Sequence, residues 1–297
     1  MKFIAEMRER WGVEPICRVL EFAPASFYGA STRSPAAREL RDRELKPQIQ
    51  RVWEENFRVY GSDKVWAQLL RDGFPVARCT VERLMRKLGL RGVVRGKTPR
   101  TTTGANGADR PADLVQRHFV AAAPNRLWVA DLTYVKTHSG WVYLAFIVDT
   151  FSRLVVGWQA SGSLRTDLAL DALEMAVWGR RGEQLQGLVH HSDRGVQYPA
   201  VRYTERLAEA GAVASVGSRG DSYDNALAES FNGLYKTELI RQDGPWRGLE
   251  AVEFATLEYL DWFNQRRLHT ELGMTPPAEF EAVHYHEETP ALQAVSH

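Results

Sequence analysis

The sequence predicts an α/β protein: a mixed sheet of five strands with helices on its faces, preceded by a wholly helical front portion. Three observations lead there. Apolar residues keep a helical spacing through the front of the chain and then change period. Three runs rich in β-branched and aromatic residues follow in quick succession, and two further short apolar runs alternate with amphipathic stretches.

A chain of 297 residues has room for more than one domain of about 100 to 200 residues, each able to bury a core. Its composition, 44% hydrophobic and 25% charged, is that of a soluble globular protein. The longest apolar runs, such as WVYLAFIVDTF, fall short of the roughly 20 residues of a membrane helix. Acids also stand in MKFIAEMRERWGVE where a signal peptide would be apolar, so the expected location is the cytoplasm, with no membrane partner. Cys17 and Cys79 are too few and too far apart for a disulfide framework or a cysteine zinc site, and are expected to be two core thiols. The net charge of +1 hides an asymmetry. Residues 1–110 hold 22 Lys and Arg against 13 Asp and Glu, and the remainder 16 against 24, so a basic front portion joins an acidic back portion.

In the front portion, DKVWAQLLRDG and ARCTVERLMRKLGL read as helices from Val65 and Leu69, and from Val81, Leu84, Met85 and Leu88. The short connector DGFPV between them and Thr80 near the second start give a helix-turn-helix pattern, assigned to a domain over 41–97. The second helix and its tail carry Arg78, Arg83, Arg86, Lys87, Arg91, Arg95 and Lys97 against one acid, Glu82. That density suits a helix lying against DNA phosphates, although a solvated basic face on an ordinary helical hairpin would carry the same residues. PICRVLEFAPASFYGA has a similar rhythm and makes 1–40 a helical region with a second candidate helix-turn-helix. The stretch 98–113, rich in Thr, Gly, Ala and Pro without apolar period, reads as a linker.

After it, RLWVADLTYV, WVYLAFIVDTF and RLVVGWQAS are separated by turn signals too short for a crossover, so they must form an antiparallel meander. TDLALDALEMAVWGR follows as a helix, GLVHHSD as a strand, AVRYTERLAEAG as a helix, AVASVG as a strand, and the stretch ending in ALAESFNGLYKTEL as a helix. These make a core over 114–245. A C-terminal helical region, 246–297, contains LEAVEFATLEYLDWFNQRR, expected to be stopped by Pro276 and Pro277.

Three acids stand out. Asp131 interrupts an apolar strand, Asp193 ends GLVHHSD, and Glu229 lies in the helix after the last strand. An acid in or at the end of a core strand is costly unless it is paired or bound to a metal. Singly each has an ordinary alternative: a buried cation beside Asp131, a turn capped by Asp193, a solvated Glu229. Together they would supply the hard oxygen ligands that Mg²⁺ prefers, and two such ions can hold both oxygens of an in-line phosphoryl displacement.

Between Asp131 and Asp193 lie 61 residues, and between Asp193 and Glu229 lie 35. This resembles the aspartate, aspartate, thirty-five, glutamate signature of retroviral integrases and related transposases, which share a ribonuclease-H-like fold. The flanks PNRLWVADLTYV, HHSDRGVQY, SRGDSYDNALAESFNGLYKTEL and FNQRRLHTELGMTPPAEF narrow the match to the insertion-sequence-three family of bacterial transposases, specifically its second-reading-frame product. The resemblance spans nearly the whole chain. It implies that Asp131, Asp193 and Glu229 hold two Mg²⁺ ions, with Mn²⁺ able to substitute, and catalyse 3′-end cleavage and strand transfer at insertion-sequence ends. The implied partners are double-stranded DNA, as terminal inverted repeats and target, further copies of the chain on that DNA, and the upstream reading-frame product, fused or associated. The implied location is the bacterial nucleoid.

At 100° per residue, Asn225, Glu229, Asn232 and Lys236 form one polar stripe with Leu227, Phe231, Leu234 and Leu239 mostly off it. Related integrases grip the DNA end with a lysine seven residues after the glutamate, the position of Lys236, so Asn232 and Lys236 are expected to face DNA. His190 and His191 point to opposite faces of a strand and are not expected to share a metal ion. Arg266, Arg267 and His269 look typical of the family without an assignable role. The His-His-Cys-Cys zinc module of retroviral integrases is missing, so no structural zinc is expected. No apolar heptad run is present. SRGDSYDN, with its Gly, Ser and Asp, is expected to be a mobile loop admitting the DNA end. The competing readings are a DNA-binding regulator with an inactive catalytic domain, a structure-selective nuclease on the same fold, and a serine enzyme built on Ser222. The last lacks a strand-to-elbow context.

Overall fold

The computed structural model describes residues 1–32, 34–94, 121–181, 185–192, 201–216 and 226–294. The expected linker 98–113, the SRGDSYDN loop, and the site candidates Asp193, Arg95 and Lys97 lie outside the described residues. The chain divides into two compact units, Met1–Gln50 and Arg51–His297.

The first unit holds α1 (Lys2–Trp11), α2 (Val13–Val19), α3 (Pro24–Thr32) and most of α4 (Ala37–Glu55). Ile4, Ile16, Cys17 and Phe27 pack together as its apolar cluster, and α2 and α3 supply the helix, turn, helix rhythm expected near residues 15–30.

The second unit begins with α5 (Ser62–Arg71) and α6 (Arg78–Leu88), the two helices expected from the apolar spacing. Val65 and Leu69 of one, and Val81, Leu84 and Met85 of the other, are buried. The Trp66 indole N–H donates to the Val76 carbonyl at 2.8 Å and ties the connector to α5. Gly89, left-handed at φ 71°, ends α6, where a side chain would be strained. Of the two expected core thiols only Cys17 is buried: Cys79 is exposed on α6, two residues ahead of the buried stripe of Val81, Leu84 and Met85.

The sheet contains β1 (Leu127–Thr137), β2 (Gly140–Asp149), β3 (Val155–Ser161), β4 (Val189–Ser192) and β5 (Val213–Val216), in the order β3-β2-β1-β4-β5. The first three form the antiparallel meander, and β4 and β5 add in parallel to β1. Side-chain alternation sorts the layers. Trp128, Ala130, Ala145 and Ile147 face α7 (Thr166–Gly179) and α8 (Val201–Glu209), burying Leu168, Ala172, Leu173, Ala176, Tyr203 and Leu207. Gly157 lets α7 press on β3, since a Cβ there would lie 2.1 Å from the Ala172 carbonyl oxygen.

Phe146, between Ala145 and Ile147, points the other way. It meets Phe231 and Tyr235 of α9 (Ala226–Tyr235) at centroid distances of 4.9 and 5.1 Å. A π-helical turn, Lys236–Ile240, and the short α10 (Arg241–Asp243) follow. Then α11 (Leu249–Gln265) packs Phe263 against Phe231 at 5.0 Å. Asn264 takes both the amide and the carbonyl of Val155, each at 2.9 Å, so α11 also closes the start of β3. Among the described residues no helix is long and apolar enough to cross a membrane.

The C-terminal prolines are a second correction. The helix expected to stop at Pro276 and Pro277 ends at Gln265, and Pro277 is instead the first residue of α12 (Pro277–Ala294). Proline suits a first helical position, where its fixed φ fits and its missing N–H would have had no intrahelical partner. A buried ion pair between Arg180 and Glu281 joins this helix to the end of α7.

Candidate active site

Among the described residues β1 pairs with β4 through Leu127–Ala130, and the next residue of β1, Asp131, is held by β2 opposite Phe146. The carboxylate is not left bare. Leu132 N–H donates to Oδ1 at 2.8 Å, and the Asn232 side-chain amide donates to Oδ2 at 2.8 Å. Asn232 is 7% exposed, and its Oδ1 is buried with no hydrogen-bond partner among the described residues. Glu229 stands three positions earlier on the same face of α9 and is exposed. One amide therefore bridges the strand acid and the helix that carries the second acid. On the sheet side, Ser192 pairs with Ala130, so the residues just before Asp193 and just before Asp131 are register partners.

Lys236 opens the π-helical turn. Its ammonium lies 4.9 Å from the centroid of the Tyr134 ring. Burial lowers its pKa, the Asp131 charge opposes that shift, and the Arg241 charge adds to it. Asp131, Asn232 and Lys236 thus share one electrostatic neighbourhood where β1 meets α9. The two histidines are engaged elsewhere. His190 Nε2 meets the Tyr203 hydroxyl at 3.0 Å, and burial pushes its pKa down to about 4. His191 Nδ1 meets Ser215 Oγ at 2.9 Å on β5. Among the described residues no group of three His, Cys, Asp or Glu side chains is placed to hold a metal ion.

An integrase core domain model matches residues 121–222, a second integrase core domain model matches 211–277, and an HTH-like domain model matches 39–98. A putative transposase of insertion sequence element IS986/IS6110 from Mycobacterium tuberculosis is 54% identical over 269 residues, 90% of this chain and 97% of its own. The transposase of IS629 from Shigella sonnei is 52% identical over 290 residues, 96% of each chain. Transposase InsF of IS3A from Escherichia coli is 30% identical over 283 residues, 94% of this chain and 97% of its own. The chain belongs to the insertion-sequence-three family of transposases. Among solved structures, the magnesium-bound catalytic core domain of HTLV-2 integrase is 19% identical with a TM-score of 0.42, over 54% of this chain and 98% of that one.

In this transposase the expected site residues separate into three groups. Asp131, Glu229, Asn232 and Lys236 lie around the junction of β1 with α9. Asp193 lies outside the described residues, although its neighbour Ser192 is fixed beside Ala130. Arg78, Arg86, Lys87 and Arg91 are exposed on α6 and its tail, with Arg83 half-buried. Arg78 reaches Asp63 at 2.7 Å, and Arg86 reaches Glu82 at 3.1 Å. Sequence reasoning missed two things: that Asn232 turns inward to Asp131, and that Glu238 is buried in an ion pair with Arg267. For the second the sequence offers little signal, since Arg267 stands among Gln265, Arg266, His269 and Thr270 as an exposed arginine would.

Proposed function

We propose that this transposase catalyses Mg²⁺-dependent 3′-end cleavage and strand transfer at the ends of its insertion sequence, with Asp131, Asp193 and Glu229 as metal ligands and Lys236 on the DNA end. The observation that carries this reading is the Asn232–Asp131 hydrogen bond, which joins the strand acid to the helix bearing Glu229. The donor set fits the ion. The described groups at the junction offer carboxylate and amide oxygens, including the partnerless buried Asn232 Oδ1, while both nearby imidazoles are taken up by Tyr203 and Ser215. Hard oxygen donors without nitrogen or sulfur suit Mg²⁺ and Mn²⁺ rather than zinc. Bound there, Mg²⁺ would supply Lewis acidity at phosphoryl oxygens and lower the pKa of water.

The chain's own residues do the rest by positioning. Two hydrogen bonds, one to each oxygen, fix the orientation of the Asp131 carboxylate. The Lys236 ammonium, flanked by Tyr134, is placed to take a phosphate next to the reacting one, and a fixed scissile group is worth much of the barrier in phosphoryl transfer. Helix α6 and its tail present Arg78, Arg83, Arg86, Lys87 and Arg91, continued in sequence by Arg95 and Lys97, to the phosphates of a terminal repeat. Further copies of the chain and the upstream reading-frame product complete the assembly on DNA in this reading. The test is joining of a labelled insertion-sequence end with Mg²⁺. Asp131→Asn and Glu229→Gln should each abolish joining while leaving end binding in place. Variants that still join at the wild-type rate contradict the assignment, and a wild type that hydrolyses ends without ever joining them makes the protein a nuclease.

A further inference from the structure

Arg266, Arg267 and His269 follow α11 in a segment that the catalytic reading leaves unused. Arg267 is 4% exposed and lies against Glu238, 7% exposed, in the π-helical turn. The guanidinium Nε donates to Glu238 Oε2 at 2.9 Å and Nη2 donates to Oε1, a two-pronged fit to the carboxylate. The Tyr259 hydroxyl donates to the same Oε2 at 2.9 Å. The guanidinium also lies over Trp262 and Phe263, 5.8 and 5.4 Å from their ring centroids. From the other side, the Leu268 N–H donates to the Tyr60 hydroxyl at 2.7 Å, so this segment is held on both flanks.

A buried pair of this kind is weak evidence for stability, because desolvating both ions offsets most of their attraction. Its geometry is informative instead. The π turn begins at Lys236, so α9 still sets the direction of Lys236, and the widened turn changes the register of the residues after it, Glu238 among them. In the observed register Lys236 projects to the Tyr134 ring and the Asp131 charge, while Glu238, two residues on, is buried on Arg267. We propose that Arg267 is a positioning residue: by fixing Glu238, two residues on, it anchors the π turn that Lys236 opens and so holds the Lys236 ammonium on the Tyr134 ring. Tyr259 completes the clamp. The proposal rests on the catalytic reading for what Lys236 does, but not for where Lys236 is held.

Two measurements test it. In protein with ¹³C-dimethylated lysines, the Lys236 methyl resonance, identified by its loss in Lys236→Arg, should be shifted upfield by the Tyr134 ring. Arg267→Lys cannot reproduce the fork, and should move that resonance to the position of exposed lysines. If Arg267→Lys fails to fold, the neutral pair Glu238→Gln with Arg267→Met removes both charges at similar volume and should show the same displacement. A folded variant of either kind with the Lys236 resonance unmoved overturns the proposal, whatever the DNA chemistry proves to be. In end joining, Arg267→Lys and Lys236→Ala should each cost about 10- to 100-fold. Combined, they should cost little more than the larger single loss, as coupled residues do. Losses that multiply, in variants melting like wild type, also overturn it, because a merely structural arginine would act independently of Lys236. A wild type that never joins ends would sink the catalytic reading and leave the resonance experiment to decide this one.

Discussion

Asp131 and Asn232 show how much one side chain can settle. The amide holds one carboxylate oxygen and leaves its own oxygen buried without a partner among the described residues. Asn232→Ala should therefore reduce joining about 10- to 100-fold, the usual cost of losing a group that orients a ligand, with end binding little changed. Asn232→Asp would set a second carboxylate against Asp131 and raise its pKa, so the acid limb of the pH–rate profile should move to higher pH. The position of Asn232 on the polar stripe was legible from helical spacing. Its inward rotamer was not, because spacing gives a direction around the helix and says nothing of which group on the sheet will receive the side chain. His190 allows a stability measurement. Burial lowers its pKa from 6.5 to about 4, so the unfolded chain binds a proton that the folded chain refuses between those values. The stability that His190 contributes is whole above pH 6.5 and is lost as pH falls through that window, at about 1.4 kcal/mol per pH unit. His190→Phe should flatten that part of the urea-melt pH profile, while leaving the Tyr203 hydroxyl short of its partner costs about 1 to 3 kcal/mol at every pH.

At the scale of elements, α6 divides its residues between packing and display. Leu84 is fully buried, and Leu84→Ala should cost about 2 to 5 kcal/mol in chemical melts. Arg78 and Arg86 are tied to Asp63 and Glu82 by exposed pairs, which are worth little and release readily to a phosphate. Replacing Arg83, Arg86 or Lys87 by Ala should weaken binding to all DNA sequences alike. Each lost phosphate contact should lower the slope of log affinity against log salt by about 0.9. The helices of this region and the β1-β2-β3 meander were readable because their apolar periods are strong and their connections short. Two elements were not. The stop expected at Pro276 and Pro277 became the start of α12, since proline ends a helix that reaches it but equally opens one at its first position. The π turn at Lys236–Ile240 was invisible because a helical wheel assumes 3.6 residues per turn throughout, and only the partners of Glu238 show where that fails.

For the molecule as a whole, the segment after residue 245 completes the layer behind the sheet. Phe263 covers Phe231, Thr256 receives the Tyr235 hydroxyl at 2.7 Å, and Asn264 takes both backbone groups of Val155. A chain ending at residue 245 should thus lose cooperative unfolding and expose apolar surface, seen as dye binding, even though β1 to β5 and α9 remain in its sequence. In the proposed function, the basic front and acidic back of the sequence become the DNA-holding and metal-holding portions of one transposase. Central to the proposed function is whether Asp131 on β1 and Glu229 on α9 carry the chemistry. The most direct measurement is Mg²⁺-dependent joining of a labelled insertion-sequence end by wild type, Asp131→Asn and Glu229→Gln, alongside end binding by the same proteins. Joining by wild type alone, with binding by all three, is the predicted result; joining by either variant at the wild-type rate would contradict it.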